Sequence, residues 1–293
     1  MAEKQFQRND VIFQQGDTGD SFYQVIDGAV GIFVSYDGGE ESKLCEIHKG
    51  EFFGEMAVID VCPRSGSAVA LEDGTTVKEI AAEELNAYFE KEPESIGLLM
   101  KTLSKRLRDL TVLYDEAKET AQKLGGDAHS TDEAMGRTLR RLKYFYKVRK
   151  SAPSAEIVRE EKNHSEGFAK NVVTYPKGTV ICQEGDSVQC MYDIHWGRVG
   201  IFKNYGKPEE VQLAILGVNE FFGEMGMVDN APRSATAVAL DDETTVEIIY
   251  PDDFAELFEK NPLKVDMILK HISFRLRSLT SQYYDVCEKI SQE

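Results

Sequence analysis

The hydrophobic and polar positions of the chain follow two kinds of pattern, and each kind occurs twice. Short apolar pairs and alternations are broken at regular intervals by turn-forming stretches, such as QGDTGD and DGAVG in the first half and EGDSVQ and WGRVG in the second. This spacing predicts short antiparallel strands in a sandwich or barrel. Apolar residues then recur at three-to-four spacing after Pro93 and after Pro262, which predicts a long amphipathic helix at the end of each half.

The two halves are copies of one another. Residues 11–114 align with residues 180–283 at a constant offset of 169 positions, without insertion or deletion. A repeat of this length indicates a duplicated domain and not a short solenoid unit. The predicted fold is therefore mainly β with α: two tandem antiparallel β jelly-roll domains, each followed by a long C-terminal helix. The predicted boundaries are 1–124 and 171–293 for the domains and 125–170 for a helical linker.

The predicted linker has an unusual charge. From Arg137 to Lys150 it carries seven basic residues and no acidic one, although the whole chain has a net charge of -17. One interpretation is a linker helix whose basic face lies on an acidic domain surface. The other is a helix that contacts a partner protein.

Composition excludes several classes of function. No apolar run approaches the roughly 20 residues that a membrane span needs, and residues 1–15 are polar, so a cytoplasmic protein without a membrane anchor is expected. The net charge of -17 opposes general binding to nucleic acid. The five cysteines form no C-x-x-C pair and the five histidines are scattered, so reduced thiols and no metal centre are expected. The single tryptophan, Trp196, is interpreted as a packing residue at a turn.

One short cassette occurs in both halves, as FFGEMAVIDVCPRSGSAVA at residues 52–70 and as FFGEMGMVDNAPRSATAVA at residues 221–239. Its glycine lets the backbone approach a ligand, and the free amides at the start of a following short helix point at an anion. Its arginine can form a charge-assisted fork to phosphate oxygens, and the next serine adds a hydroxyl. Its glutamate cannot favour a phosphate but suits a sugar hydroxyl. The cassette therefore predicts a site for a ribose phosphate.

The segments FGEMA or FGEMG and PRS resemble the phosphate-binding cassette of cyclic-nucleotide-binding domains, and the upstream strands match the same family. The resemblance implies a jelly roll that holds a cyclic nucleotide between the cassette and the C-terminal helix. It implies that the glutamate accepts from the ribose 2′-hydroxyl, that the arginine pairs with the cyclic phosphate, and that the glycine and the following amides hold the sugar phosphate. The implied binding residues are Gly54, Glu55, Met56, Ala57, Arg64 and Ser65 in the first copy and Gly223, Glu224, Met225, Gly226, Arg233 and Ser234 in the second.

The base of the nucleotide is less constrained. Serine directly after the arginine resembles cyclic-AMP-binding members of the family, and a hydroxyl residue there also occurs in members that accept cyclic GMP. The expected ligand is therefore cAMP, with cGMP as the alternative. Thr111 and Thr280 lie on the closing helices near the position where the family contacts the base, and Tyr114 and Tyr283 follow one turn later as candidate lids. Exposed or packing positions on a long helix are the alternative interpretation of all four.

These features predict a sensor or regulatory subunit that binds one ligand per domain and signals to a separate effector protein by helix rearrangement. A homo-oligomer is compatible with this. Because only DVCEKISQE follows Tyr284, a helix-turn-helix module and specific DNA binding are not expected. An enzyme acting on the nucleotide would need a metal cluster or a base with an activated water, which the histidine and aspartate spacing does not indicate, so no catalytic residue is assigned. The alternative function is an interaction scaffold with vestigial pockets.

Overall fold

A computed structural model describes residues 2–33, 36, 43–59, 63–124, 169–227 and 232–292. The basic stretch of the predicted linker lies outside these described residues. Within them, the chain forms two β sandwiches, each accompanied by short and long helices.

The first sandwich consists of two four-stranded sheets in which every pair of neighbouring strands is antiparallel. The strand orders are β1-β8-β3-β6 and β2-β7-β4-β5. Alternating apolar residues of both sheets meet in one core that includes Tyr23, Val25, Val30 and Phe53. The strands are β1 Ala2–Phe6, β2 Val11–Phe13, β3 Ser21–Asp27, β4 Ala29–Phe33, β5 Lys43–His48, β6 Phe52–Phe53, β7 Ser67–Ala70 and β8 Thr75–Ala81.

The second sandwich repeats this topology. Its sheets have the antiparallel orders β14-β11-β16-β9 and β10-β15-β12-β13, which match the first pair strand for strand. Its core includes Cys190, Ile194, Val199, Phe222 and Val246. The strands are β9 Val172–Tyr175, β10 Val180–Cys182, β11 Met191–Trp196, β12 Val199–Lys203, β13 Val211–Leu216, β14 Phe221–Phe222, β15 Thr236–Ala239 and β16 Thr244–Ile249.

Each repeat has one short helical segment between strands and ends with a short and a long helix. A short helix lies inside the first cassette, and a 3₁₀ turn, Glu224–Met227, lies at the same place in the second. Both long helices have 31 residues and start at or directly after the proline that the sequence pattern indicated. Over the described residues, no helix is both apolar enough and long enough to span a bilayer. The helices are α1 Glu55–Ile59, α2 Leu85–Lys91, α3 Glu94–Leu124, α4 Phe254–Lys260 and α5 Pro262–Gln292.

Two compact units can be distinguished by their internal contacts. The first contains the described residues within 2–88, 106–124 and 273–292, and the second contains the described residues within 89–105 and 169–272. In the first unit, the C-terminal part of α5 packs against α3 through Tyr283, Ile290 and Ala117. The first unit therefore includes segments of both long helices.

The predicted fold class is confirmed: both halves form antiparallel sheets followed by a long helix. The domain boundaries at 124 and 171 stay a prediction. The prediction that Trp196 packs is wrong, because its side chain is 63 % exposed. It ends strand β11 directly before Gly197, whose φ of +76° starts the turn, so the ring lies at the rim of the sheet.

Candidate functional site

The first cassette forms part of a pocket in the first compact unit. Strand β6 ends at Phe53, and the next residue, Gly54, has a φ of +76° that turns the backbone into helix α1. This left-handed conformation is the one that glycine adopts without strain. All six predicted residues of the first copy line the pocket together with side chains from the sheets and from both long helices: Phe13, Ile32, Leu44, Cys45, Gly54, Glu55, Met56, Ala57, Arg64, Ser65, Gly66, Arg106, Asp109, Leu110, Leu113, Leu276 and Thr280.

The side chain of Arg64 is held in place by two hydrogen bonds and a cation–π contact. Its Nη1 donates to the carbonyl of Gly54 and its Nη2 to the carbonyl of Ser21, both at 2.6 Å, and its Cζ lies 4.2 Å from the ring centre of Phe13. Burial lowers the pKa of the guanidinium, because a charge with little water around it is disfavoured. Its Nε has no hydrogen-bond partner among the described residues. An anion in the pocket would therefore meet a buried cation with a free donor.

Glu55 is buried and forms an ion pair with a partly buried arginine of helix α3. Arg106 donates through Nη1 to Oε1 of Glu55 at 2.6 Å and through Nη2 to the carbonyl of Phe52. Glu55 is 1 % exposed, and neither its Oε2 nor Nε of Arg106 has a hydrogen-bond partner in the described part of the chain. Buried polar atoms usually find partners, so these two positions suit hydrogen bonds from a ligand.

The two long helices supply the rest of the pocket. Asp109 and Leu110 of α3 and Leu276 and Thr280 of α5 line it. This part combines apolar walls with one carboxylate and one hydroxyl, as a small site for a flat polar ring requires. Near it, Arg277 Nη2 donates to the carbonyl of Met56 at 2.8 Å, so α5 is bonded directly to the cassette helix.

The four predicted base-contact residues lie in different places. Thr280 lines the first pocket, and its hydroxyl also donates to the carbonyl of Leu276. Thr111 donates to the carbonyl of Leu107 within its own helix and is not among the pocket-lining residues. Tyr283 is buried in the α3/α5 contact, and Tyr114 packs at its edge.

The second cassette has the same local geometry. Gly223 has a φ of +79°, and its carbonyl accepts from Arg233 Nη1 at 2.8 Å. Glu224 and Arg233 are 1 % and 4 % exposed, and Nε of Arg233 has no hydrogen-bond partner within the described ranges. The 3₁₀ turn Glu224–Met227, which includes Met225, brings Gly226 beside this arginine, and the carbonyl of Ser234 accepts from Lys203.

The two copies make room for the arginine differently. In the second copy, a Cβ on Gly226 would collide with Nη1 of Arg233. The first copy has Ala57 at that position, and the space comes from Gly19, where an added Cβ would lie 2.5 Å from Cβ of Ala57 and 2.8 Å from Cζ of Arg64. The repeat offset places Val188 opposite Gly19. Each copy therefore has one glycine next to its arginine. In the first copy this is Gly19, which precedes strand β3, and in the second it is Gly226, which lies within the cassette.

Sequence reasoning missed Arg106 and Arg277. A signal was present, because the run Arg-Leu-Arg occurs at residues 106–108 and again at 275–277, at the repeat offset of 169. A charged run on an amphipathic helix is usually a solvated face, so its recurrence alone did not assign it to the pocket.

A separate cluster of charged side chains lies in the second sandwich. Lys264 of α5 contacts Asp193 Oδ2 at 2.6 Å and Oε2 of Glu247, and His195 Nε2 lies 3.3 Å from each of these carboxylates. Asp193, Glu247 and Lys264 are all buried. Asp193, His195 and Glu247 are close enough to ligate a cation, but the ammonium of Lys264 already forms an ion pair with both carboxylates. The cluster fastens the first turns of α5 to strands β11 and β16.

The cluster should make the stability of the second repeat depend on pH. Hydrogen bonds to Asp193 and Glu247 raise the pKa of His195 to about 9. Because this folded value lies above the unfolded value of 6.5, the stabilisation is complete below about pH 6.5 and is lost as the pH rises through 9. We expect urea midpoints of the second repeat to fall as the pH rises from about 6.5 to about 9.5. His195→Gln should flatten this part of the profile, and an unchanged slope in that variant would contradict the assignment.

Comparison with known proteins agrees with the geometry of the two cassettes. The family model described as "Cyclic nucleotide-binding domain" matches residues 3–92 and 172–261. These ranges cover more than half of the chain, so the protein belongs to the cyclic nucleotide-binding domain family, with two such domains in tandem.

Relatives of two kinds are similar to the chain. A cyclic AMP receptor protein of Thermus thermophilus is 36% identical over 103 residues, which is 35% of this chain and 47% of that protein. A cAMP-dependent protein kinase regulatory subunit of Blastocladiella emersonii is 24% identical over 236 residues, 80% of this chain and 47% of that protein. The chain therefore spans about half the length of these relatives. A solved structure of the regulatory domain of Toxoplasma gondii PKA with cAMP is 17% identical to the chain. The match covers 92% of this chain and 83% of that chain, with a TM-score of 0.29.

Proposed function

We propose that the protein is a cyclic-nucleotide sensor or regulatory subunit that binds one cyclic nucleotide in each repeat, with cAMP preferred over cGMP, and signals to a separate effector protein. One observation carries the proposal. Three buried polar atoms without a hydrogen-bond partner among the described residues belong to side chains that line one pocket: Oε2 of Glu55, Nε of Arg64 and Nε of Arg106.

The charges of these atoms suit a ribose phosphate. Nε of Arg64 is a donor on a buried cation and would complete its bonding with a phosphate oxygen. Oε2 of Glu55 is an acceptor and would accept a hydrogen bond from a ribose hydroxyl. A phosphate alone would repel this carboxylate and would give its Oε2 no hydrogen-bond donor. The acceptor of Glu55 and the donor of Arg64 together therefore favour a sugar phosphate over a free anion.

The preference for cAMP rests on two polar side chains of the pocket and on the relatives. The pocket places a carboxylate, Asp109, and a hydroxyl, Thr280, near apolar walls. Both can accept from the exocyclic amine of adenine, and the relatives named for cAMP carry the same kind of domain. Guanine also offers donors to a carboxylate, so titration with both nucleotides must decide between them.

Thermal unfolding is the first test of the proposal. At about one hundred times its dissociation constant, a ligand should stabilise each folded site that it occupies by about 2.7 kcal/mol, which raises the melting temperature. Linear 5′-AMP is the matched control, since it shares the base and ribose but not the cyclic phosphate. Unchanged melting curves with both cAMP and cGMP would refute the sensor and favour a scaffold with vestigial pockets.

The route of the signal is also a proposal. Helix α3 contributes Arg106 to the ion pair with Glu55, so a ligand that bonds to Glu55 also acts on α3. The basic stretch 137–150 follows α3 in the sequence and is the proposed contact surface for the effector. Coupling of this kind is typically worth about 1 to 3 kcal/mol and must be reciprocal between ligand and effector.

Hydrogen exchange tests this route. Saturation with cAMP should change amide protection in both cassettes and also in residues 95–150, because α3 is bonded to the first pocket through Arg106. Arg233→Ala, which keeps the first site, should retain the change in 95–150. Protection that changes only in the cassettes would mean that the signal leaves by another surface.

A further inference from the structure

The arginine of the second cassette has a sulfur as its neighbour. Nη2 of Arg233 lies 2.9 Å from Sγ of Cys190, which is 1 % exposed. In the first cassette, the corresponding nitrogen of Arg64 donates to a backbone carbonyl, that of Ser21. The repeat offset makes Ser21 the counterpart of Cys190, so the two sites differ at the contact that fixes the phosphate-binding arginine.

A second thiol lies close to the same arginine. Cys182 belongs to the same buried core cluster as Cys190; burial raises the pKa of its thiol, and the positive charge of Arg233 opposes this rise. The counterpart of Cys182 is Phe13, whose ring packs on Arg64. The second copy therefore has two cysteines near the guanidinium of Arg233, where the first copy has a phenylalanine and a serine near the guanidinium of Arg64.

The guanidinium of Arg233 also has a donor atom that indicates a ligand site. Nε of Arg233, on a side chain that is 4 % exposed, has no hydrogen-bond partner in the described part of the second repeat. A group that arrives at this guanidinium thus reaches Cys190 as well. A neighbouring guanidinium stabilises the thiolate, which is the nucleophilic form of cysteine.

We propose that Cys190 is a reversible oxidation site that controls nucleotide binding in the second repeat, while the first site is insensitive; this rests on the proposed nucleotide-binding function. The reactant is a hydroperoxide. The sulfur of Cys190 attacks the terminal oxygen, the O–O bond breaks, an S–O bond forms, and the thiol proton leaves with the alcohol or water produced. Sulfur loses two electrons and the peroxide gains them. The product is a sulfenic acid, which thiol reductants restore to the thiol.

Oxidation should weaken binding because the new oxygen occupies the position of a ligand oxygen. A sulfenate beside Arg233 is an internal anion that accepts from the guanidinium and competes with the cyclic phosphate. Bound nucleotide should in turn protect Cys190, because the closed pocket excludes the peroxide. In the first site, the group at this contact is the carbonyl of Ser21, which peroxide does not oxidise. Cys45 lines the first pocket, where burial and the carboxylate of Glu55 raise the pKa of its thiol.

The test uses full-length chains in which one site is removed. Arg64→Ala isolates the second site and Arg233→Ala isolates the first. Each is titrated with cAMP and cGMP before and after treatment with hydrogen peroxide, then again after dithiothreitol. We expect the affinity of the second site to fall about tenfold or more and to recover on reduction, with the first site unchanged. Dimedone labelling and mass spectrometry should locate the sulfenic acid at Cys190.

Cysteine variants of the Arg64→Ala chain identify the sulfur. Cys190→Ser should bind nucleotide and resist peroxide, whereas Cys182→Ser should remain sensitive; Cys190→Ala replaces the serine variant if that variant does not melt like its parent. Equal loss of affinity in the Cys190 variant, or sensitivity that disappears only with Cys182, would overturn the proposal. A chain that binds no nucleotide before treatment would instead refute the proposed function, and dimedone labelling would still test the reactivity of Cys190.

Discussion

Replacing Arg64 with alanine is expected to remove one of two nucleotide-binding events, and replacing Arg233 is expected to remove the other. Each guanidinium is buried, and each keeps an Nε without a hydrogen-bond partner in the described ranges. Loss of one partner of a buried charge pair typically costs about 2 to 5 kcal/mol, or about 30-fold to several thousand-fold in affinity. Calorimetric titration with cAMP should show the stoichiometry fall from two sites to one in each variant.

Controls separate this effect from general charge loss. Arg198→Ala removes an exposed arginine of the second repeat that pairs with Asp241, and it should leave both binding events unchanged. Arg64→Lys keeps the charge but loses the planar fork, so it should bind more weakly than wild type and better than alanine. If the double variant Arg64→Ala/Arg233→Ala binds as wild type does, the role assigned to these arginines is wrong.

The strands, the shared topology of the two halves and the glycine turns of the cassettes could be predicted from the sequence. The strands follow period-two alternation between turn residues, and the duplication at a constant offset predicted that both halves share one topology. The need for glycine before the glutamate is explained by the positive φ of Gly54 and Gly223, a conformation that other residues adopt only with strain. These features depend on neighbours along the chain, which is why a single sequence contains them.

The long-range part was not predictable. Helical periodicity shows which residues share a face of α3 but not what that face contacts, so the pairing of Arg106 with Glu55 could not be derived. Thr280 was assigned from the sequence to the second copy, and in the structure it lines the pocket of the first cassette. Such positions depend on how distant elements pack, and the pattern of one helix does not specify that.

The stabilising role of Lys264 could not be predicted from the sequence either. A lysine in the first turn of an amphipathic helix is usually solvated, yet its side chain is 4% exposed between Asp193 and Glu247. The first repeat has Ser95 at the equivalent position, so the duplication gave no hint of an ion cluster. Only the folded sheet brings β11 and β16 side by side, with one carboxylate on each strand at a register where both face this helix.

Lys264→Met should strongly destabilise the second repeat. The ammonium forms ion pairs with two buried carboxylates, and removing one partner of a buried ion pair typically costs about 3 to 5 kcal/mol because the remaining charge is left uncompensated. Urea denaturation followed by circular dichroism should show the second repeat unfold at a clearly lower midpoint. Lys260→Met is the matched control on the preceding helix, since Lys260 is exposed and should change stability by about 1 kcal/mol or less. Adding Glu247→Gln to Lys264→Met should recover part of the loss, and a Lys264→Met midpoint equal to that of the control would show that the cluster contributes no net stability.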